Sequence, residues 1–162
     1  MKKMIPLVIL LILILLFGCT STNPATDINV NNNATLDQTI IDSQVILPNI
    51  EKVEVIHFHS TSQCYSCITV GDYAEKTINK YFSDELKSGK LTFAHINIDL
   101  PENQELVNKY GVTGSSLWIG TYSETGFHKE ENVTVWYKID NQTDYEEYLA
   151  ELLTKKLQGI LK

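Results

Sequence analysis

Polar and apolar positions change rhythm several times along the chain, and each change predicts an element. Behind Lys2 and Lys3, residues 5–17 are an unbroken apolar run with Pro6 near its start. Residues 20–44 ("TSTNPATDINVNNNATLDQTIIDSQ") are rich in Thr, Asn, Ser and Asp. They hold too few large apolar groups to offset the entropy of ordering. From residue 50 the texture becomes that of a folded domain. "KVEVIHFH" (52–59) is β-branched and apolar on both alternating faces, which suits a central strand buried on two sides. Ile68, Ala74, Ile78, Tyr81 and Phe82 then recur at helical spacing, and Gly89 breaks that helix. "LTFAHINI" (91–98) reads as a second strand. Asp99 is placed to cap the next helix, with Pro101 in its first turn and Gly111 at its end. "SLWIGTY" (116–122) reads as a third strand, residues 123–131 as a loop and "NVTVWYKI" (132–139) as a fourth strand. Thr143 and Glu146 fit a capping box for a last helix, with Tyr145, Leu149, Leu152, Leu153 and Ile160 on one face.

The resulting order, β-α-β-α-β-β-α, predicts an α/β fold with a mixed central sheet and helices on both faces. Strands separated by helices are expected to run parallel through right-handed crossovers, and the last two to form an antiparallel hairpin.

The opening apolar run is shorter than the ~20 residues a spanning helix needs and matches a secretory signal. It ends in "LFGC", which resembles the lipobox of prokaryotic lipoproteins, with Phe17 bulkier than the small residue usual there. The resemblance implies a signal peptide over residues 1–18, a lipid-bearing Cys19, a polar tether through residue 49 and a domain over 50–162. An uncleaved signal anchor is the alternative. Either places the domain outside the cytoplasmic membrane, because Lys2 and Lys3 hold the N-terminus inside. A tether of this composition has an end-to-end distance of about 25–30 Å.

Charge narrows the partners. The 162 residues carry 13 basic side chains, all lysine, and 20 acidic ones, a net charge of −7. Removing residues 1–18 leaves 11 lysines against 20 acids, or −9. Nucleic-acid binding needs a basic footprint, and none is present. An acidic surface is repelled by anionic lipid heads, so an acyl anchor rather than a basic patch would hold the chain at a membrane. Asn33, Asn132 and Asn141 fit the N-x-S/T glycosylation pattern.

The cysteines supply the chemistry. There are three in the chain, and assigning Cys19 to lipid leaves Cys64 and Cys67 as a pair. They fall where the first strand hands over to the first helix. C-x-x-C in a first helical turn brings the Cα atoms to roughly 5–6 Å, within disulfide range. Unpaired N–H groups and the helix dipole favour a thiolate at Cys64, the expected nucleophile. Cys67, one turn further in, would resolve the mixed disulfide. Two other readings stay open at this point. The pair could be a structural staple, or half of a metal or metalloid site completed by other ligands, with His59 the nearest candidate. His57 and His59 point to the same side of their strand. His95 and His128 carry no assigned role. Trp118 and Trp136 read as core aromatics, and Glu146, Glu147 and Glu151 as a solvated helix face.

With these residues in place, 50–162 resemble the thioredoxin superfamily in element order and in C-x-x-C at the first strand–helix junction. "KYGVTGSSLWI" (109–119) is similar to the stretch that leads into the third core strand of thioredoxins. "FHSTSQCYSC" is similar to a branch of small thioredoxin-like proteins labelled as nitroreductase subunits, the ArsF type. The resemblance implies a monomeric thiol–disulfide oxidoreductase. Its Cys64–Cys67 disulfide would serve in place of any cofactor, on a protein or small thiol/disulfide substrate. A membrane thiol–electron transporter would be its electron source. It also implies that Ser115, Ser116 and His59 face the substrate. This chain departs from the family in four places. Gln63 stands where a Trp is usual, and Tyr65-Ser66 lies between the cysteines. Ser116 replaces the cis-proline, so the Ser115–Ser116 peptide is expected to be trans, a non-proline cis bond costing about 2.5–4 kcal/mol. Phe58 occupies the place of a buried acid, leaving proton transfer from Cys67 to water or His59.

Overall fold

The computed structural model describes residues 45–161. The chain forms β1 (Ile50–His59), α1 (Tyr65–Tyr81), α2 (Ser83–Ser88), β2 (Leu91–Asn97), α3 (Gln104–Tyr110), β3 (Ser116–Ser123), β4 (Gly126–Glu131) and α4 (Gln142–Leu157). Two short 3-10 turns, Pro101–Asn103 and Thr134–Tyr137, precede α3 and α4. The strands lie in the order β2-β1-β3-β4, the expected α/β mixed sheet. Among the described residues no helix is long and apolar enough to cross a membrane.

Strand β1 is central and divides the core. Val53 and Val55 are fully buried with Val70, Ala74 and Ile78 of α1 and Tyr145, Leu149 and Leu153 of α4. Ile56 and Phe58 face the other way, into a second cluster with Val107 and Tyr110 of α3. Helices therefore cover both faces. Burying each such side chain stabilises the fold by about 1.5–3 kcal/mol; His57 is the buried polar residue of β1 on the α1 face. Glu54 is the polar residue of β1 on the α3 face. It accepts hydrogen bonds from the Tyr110 and Tyr122 hydroxyls, each at 2.9 Å, and pairs with Lys52 at 3.2 Å. Burial raises its carboxyl, but those three bonds outweigh burial and hold it below the ordinary carboxylate range.

Several expectations fail in instructive ways. β1 pairs with β2 in parallel, but β3 runs antiparallel to β1. Asn97 pairs beside His59, and Ser116 beside Phe58, so the connection through α3 starts and ends at one end of the sheet. A seven-residue helix spans only about 10 Å, too little to carry the chain back along a strand. The fourth strand also lies earlier than expected. β4 is the polar stretch 126–131, paired with β3 through a two-residue turn at Glu124 and Thr125. Residues 132–139 leave the sheet instead. The Asn132 N–H still donates to the Leu117 carbonyl at 2.7 Å, but its side-chain oxygen accepts from the Val135 N–H at 3.3 Å and turns the chain. Val135 is buried while Val133 and Tyr137 are exposed, a turn pattern rather than strand alternation.

The caps differ too. Asn141, not Thr143, caps α4, accepting from the Thr143 and Asp144 N–H groups at 3.1 and 3.3 Å. Glu146 is buried and pairs with Lys80 of α1 at 2.8 Å, so it is not part of a solvated face, whereas Glu147 and Glu151 are exposed. Asp99 caps no helix, because Leu100 stands at that position before Pro101. Trp118 and Trp136 are half-buried at the margins of the two core clusters. Ile160 lies beyond α4 and bridges Ile46, while Leu47 N–H donates to the Gly159 carbonyl at 2.7 Å. Leu47 is buried, so packing begins a few residues before β1. The Asn132 sequon is buried, with its amide bonded to the Tyr148 hydroxyl at 3.0 Å, a poor acceptor for a glycan. Cys19, Asn33, the signal segment and the tether up to residue 44 lie outside the described residues, whereas 45–49, assigned to the tether from the sequence, pair with the end of the chain and bury Leu47.

Candidate active site at the β1–α1 junction

Cys64 is the N-cap of α1, in extended backbone conformation with φ −80° and ψ 165°. Its Sγ accepts from the Cys67 N–H at 3.3 Å, the position a Ser or Asp oxygen takes in an ordinary cap. Cys64 and Cys67 are disulfide-bonded, with their Cα atoms 5.2 Å apart. Cys64 is exposed and Cys67 partly buried, the asymmetry expected of an attacking and a resolving sulfur. Tyr65, between them, is 80% exposed, and Ile68 is exposed beside it.

The loop that delivers the pair is held from β2. Thr61 N–H donates to Asp99 Oδ2 at 2.8 Å, and Asn97 Nδ2 donates to Thr61 Oγ1 at 2.9 Å. Asn97 Oδ1 in turn accepts from the Asp99 N–H at 3.0 Å. Asp99 thus braces the cysteine loop rather than starting a helix.

The Ser115–Ser116 segment enters β3 next to Phe58, at the end of β1 from which the cysteine loop departs. No cis peptide occurs among the described residues, so this bond is trans. Ser116 is buried, donating to the Gly114 carbonyl at 3.0 Å and accepting from Trp118 Nε1 at 3.0 Å. Its hydroxyl is therefore committed inward, and any substrate contact there falls to the backbone and to half-buried Ser115.

His59 is partly buried, with Nδ1 2.9 Å from the Ser60 carbonyl. Its ring stacks on that of His57 at 5.5 Å between centroids. Among the described residues, no three His, Cys, Asp or Glu side chains converge as a metal site. What the sequence did not indicate is a pairing across the sheet. β1–β2 register sets His57 opposite His95, with their Nδ1 atoms 2.9 Å apart. His95 Nε2 lies 3.5 Å from Glu75 of α1. The signal was the parallel register itself: aligning "VEVIHFH" with "LTFAHIN" places one histidine beside the other.

No family model matches the chain, and no curated protein matches it. Among solved structures it is similar to the Trx4 domain of ERdj5, at 16% identity and TM-score 0.45, covering 70% of this chain and 85% of that one. It is also similar to a Plasmodium falciparum thioredoxin, at 17% identity and TM-score 0.39, covering 62% and 70%. A Thermus thermophilus thioredoxin gives 17% identity and TM-score 0.37, covering 65% and 76%. None of these speaks to the branch labelled as nitroreductase subunits.

Proposed function

We infer a thioredoxin-like redox domain from the element order and from the Cys64–Cys67 pair, which stands at disulfide distance at the start of α1. We propose that the protein is a thiol–disulfide oxidoreductase, tethered outside the cytoplasmic membrane through lipid on Cys19. The observation that carries the redox reading is Cys64 as an exposed helix cap with Cys67 one turn behind it. The unpaired N–H groups of a helix start favour a thiolate over a thiol. In the reductive direction Cys64 thiolate attacks a substrate disulfide and one substrate thiolate leaves. Cys67 sulfur then attacks Cys64 Sγ, releasing the second substrate thiolate and closing the Cys64–Cys67 disulfide. Two electrons pass from the dithiol to the substrate. The reverse sequence oxidises a substrate dithiol. A membrane thiol–electron transporter would restore the dithiol, since the location implied by the N-terminus lacks a soluble reductant pool.

The pair has little value as a staple. A loop closed between residues three apart removes the least chain entropy of any disulfide. Exposure of Cys64 also leaves it open to exchange. The test is peptide-disulfide reduction with single-cysteine variants. Cys64→Ser is expected to lose activity, and Cys67→Ser to accumulate mixed disulfides with substrate. Full activity in both variants would refute the assignment. The anchor is tested separately, by loss of acyl labelling and release from the membrane fraction in Cys19→Ser.

A further inference from the structure

The two edges of the sheet are built differently. β4 closes one side and carries His128, Lys129, Glu130 and Glu131, a charged edge that discourages a further strand from pairing. β2 closes the other side as "LTFAHIN", with no Asp, Glu, Lys, Pro or Gly and an unbroken register along β1. It has none of the usual devices that protect an edge. Thr92, Phe93 and Ala94 are half-buried and His95 is exposed.

The hydrogen bonds show which backbone groups this edge leaves over. The Lys90 carbonyl accepts from the Val53 N–H at 2.8 Å, and the Ile98 N–H donates to the His59 carbonyl at 2.8 Å. In a parallel ladder this parity makes the even-numbered residues of β2 bond to β1 and turns both backbone groups of the odd-numbered ones outward. The Asn97 carbonyl is taken by Asn103 Nδ2 at 2.8 Å. The N–H and C=O groups of Leu91, Phe93 and His95 have no partner among the described residues.

We propose that β2 is the joint of a twofold dimer, in which the β2 strands of two copies pair antiparallel about Phe93. The three free residues are symmetric about Phe93, as a joint made from one patch meeting itself requires. Phe93 then lies opposite Phe93 of the second copy, and Leu91 opposite His95. Each such pair exchanges two hydrogen bonds, so every free group on the edge is used. Ala94 falls opposite Thr92, and no pair sets like charges against each other. The two four-stranded sheets become one continuous sheet. Asn97 lies beside His59, where the loop to Cys64 departs, so the two cysteine pairs fall toward opposite ends of the joint. The dimer replaces the monomer implied by resemblance.

The rival occupant of this edge is the chain upstream of residue 45. Val45 lines a cavity with Ile119, Thr121, His128 and Glu130, so the chain enters on the β4 side. Three strand spacings, about 14 Å, separate that side from β2. Residues 20–44 also carry Asn and Asp throughout, types that strands disfavour. A second copy brings a strand that already matches.

The test is amide hydrogen exchange on the full chain in detergent, with micelles in excess over protein so that the apolar N-terminal run does not hold copies together. The Leu91, Phe93 and His95 amides should exchange roughly tenfold more slowly at about 1 mM protein than at about 10 µM, as mass action requires of a self-pairing edge. Equal protection at both concentrations would assign the edge to the upstream chain, and rapid exchange at both would leave it bare. Either result overturns the dimer. The register is tested by Phe93→Lys and Phe93→Glu, which set like charges opposite each other at the twofold axis. Each should sediment as a single chain, and an equal mixture of the two as a pair. A mixture that stays single, or either variant pairing with itself, overturns the pairing about Phe93. Should either variant fail to fold, the wild-type exchange decides alone.

Discussion

Asp99, just beyond the end of β2, accepts a hydrogen bond from the Thr61 backbone N–H at 2.8 Å, joining two loops 38 positions apart in sequence. This bond fixes the strand-to-helix loop from which Cys64 projects. Asp99→Ala is expected to cost about 1 kcal/mol, the ordinary net value of such a bond. It should also slow disulfide exchange, because the loop before Cys64 loses its brace. Chemical denaturation and turnover on one preparation check both. Unchanged turnover would show that the loop holds its shape without Asp99.

Stability should fall with acid through a window set by His57. Its folded pKa is lowered from the ordinary 6.5 to about 4, chiefly by burial. Between those values the unfolded chain binds a proton that the folded chain refuses, so stability is complete above about pH 6.5 and declines as pH falls toward 4. The upper figure for that loss is about 3 kcal/mol. His57→Gln cannot titrate and should remove that part of the slope. Urea titrations from neutral pH downward measure it, and identical slopes in the two proteins would count against a neutral buried imidazole.

Gly120 is a packing constraint on the opposite face. A Cβ there would overlap the Tyr110 hydroxyl and sit 2.8 Å from Phe127 Cε2. Gly120→Ala should destabilise by about 1–3 kcal/mol, as overpacked cores do. Adding Tyr110→Phe removes the clashing oxygen, so the double variant should lose less than the sum of the single losses. Simple additivity in thermal unfolding would show that the hydroxyl is not the obstacle.

The cap of α4 separates two residues the sequence made hard to tell apart. Asn141→Ala should cost about 1 kcal/mol and Thr143→Ala almost nothing, since only Asn141 binds the first free N–H groups. Equal losses in equilibrium unfolding would restore the capping box.

Strand β1, helix α1 and the position of the cysteine pair were legible because each is signalled locally. β1 is apolar on two faces, the helix repeats at its own period, and C-x-x-C stands between them. β4 was not legible. At the sheet edge "GFHKEE" is held by backbone pairing with β3, and none of its side chains is fully buried, so it lacks the apolar alternation of an inner strand. "NVTVWYKI" carries the strand-forming residue types, but the Asn132 side chain diverts it into a turn. The direction of β3 is not legible, because the sequence pattern of α3 does not distinguish a short connecting helix from a full crossover. Of the candidate site, Cys64 and Cys67 were found from spacing. His57 and His59 were seen as neighbours, but His95 enters only through strand register and Glu75 only through helix packing. Ser116 was expected to face substrate and is turned inward by Trp118.

The antiparallel bridge between Ile46 and Ile160, with Leu161 N–H donating to the Val45 carbonyl at 2.9 Å, fastens the entry and exit of the folded unit side by side. Both lie at the start of β1, whose ten residues carry the chain about 30 Å before the loop to Cys64 begins. A label, resin or fusion partner attached at either end of this unit would grip it from the rear. The sulfur-bearing tip would be left pointing away from whatever holds it.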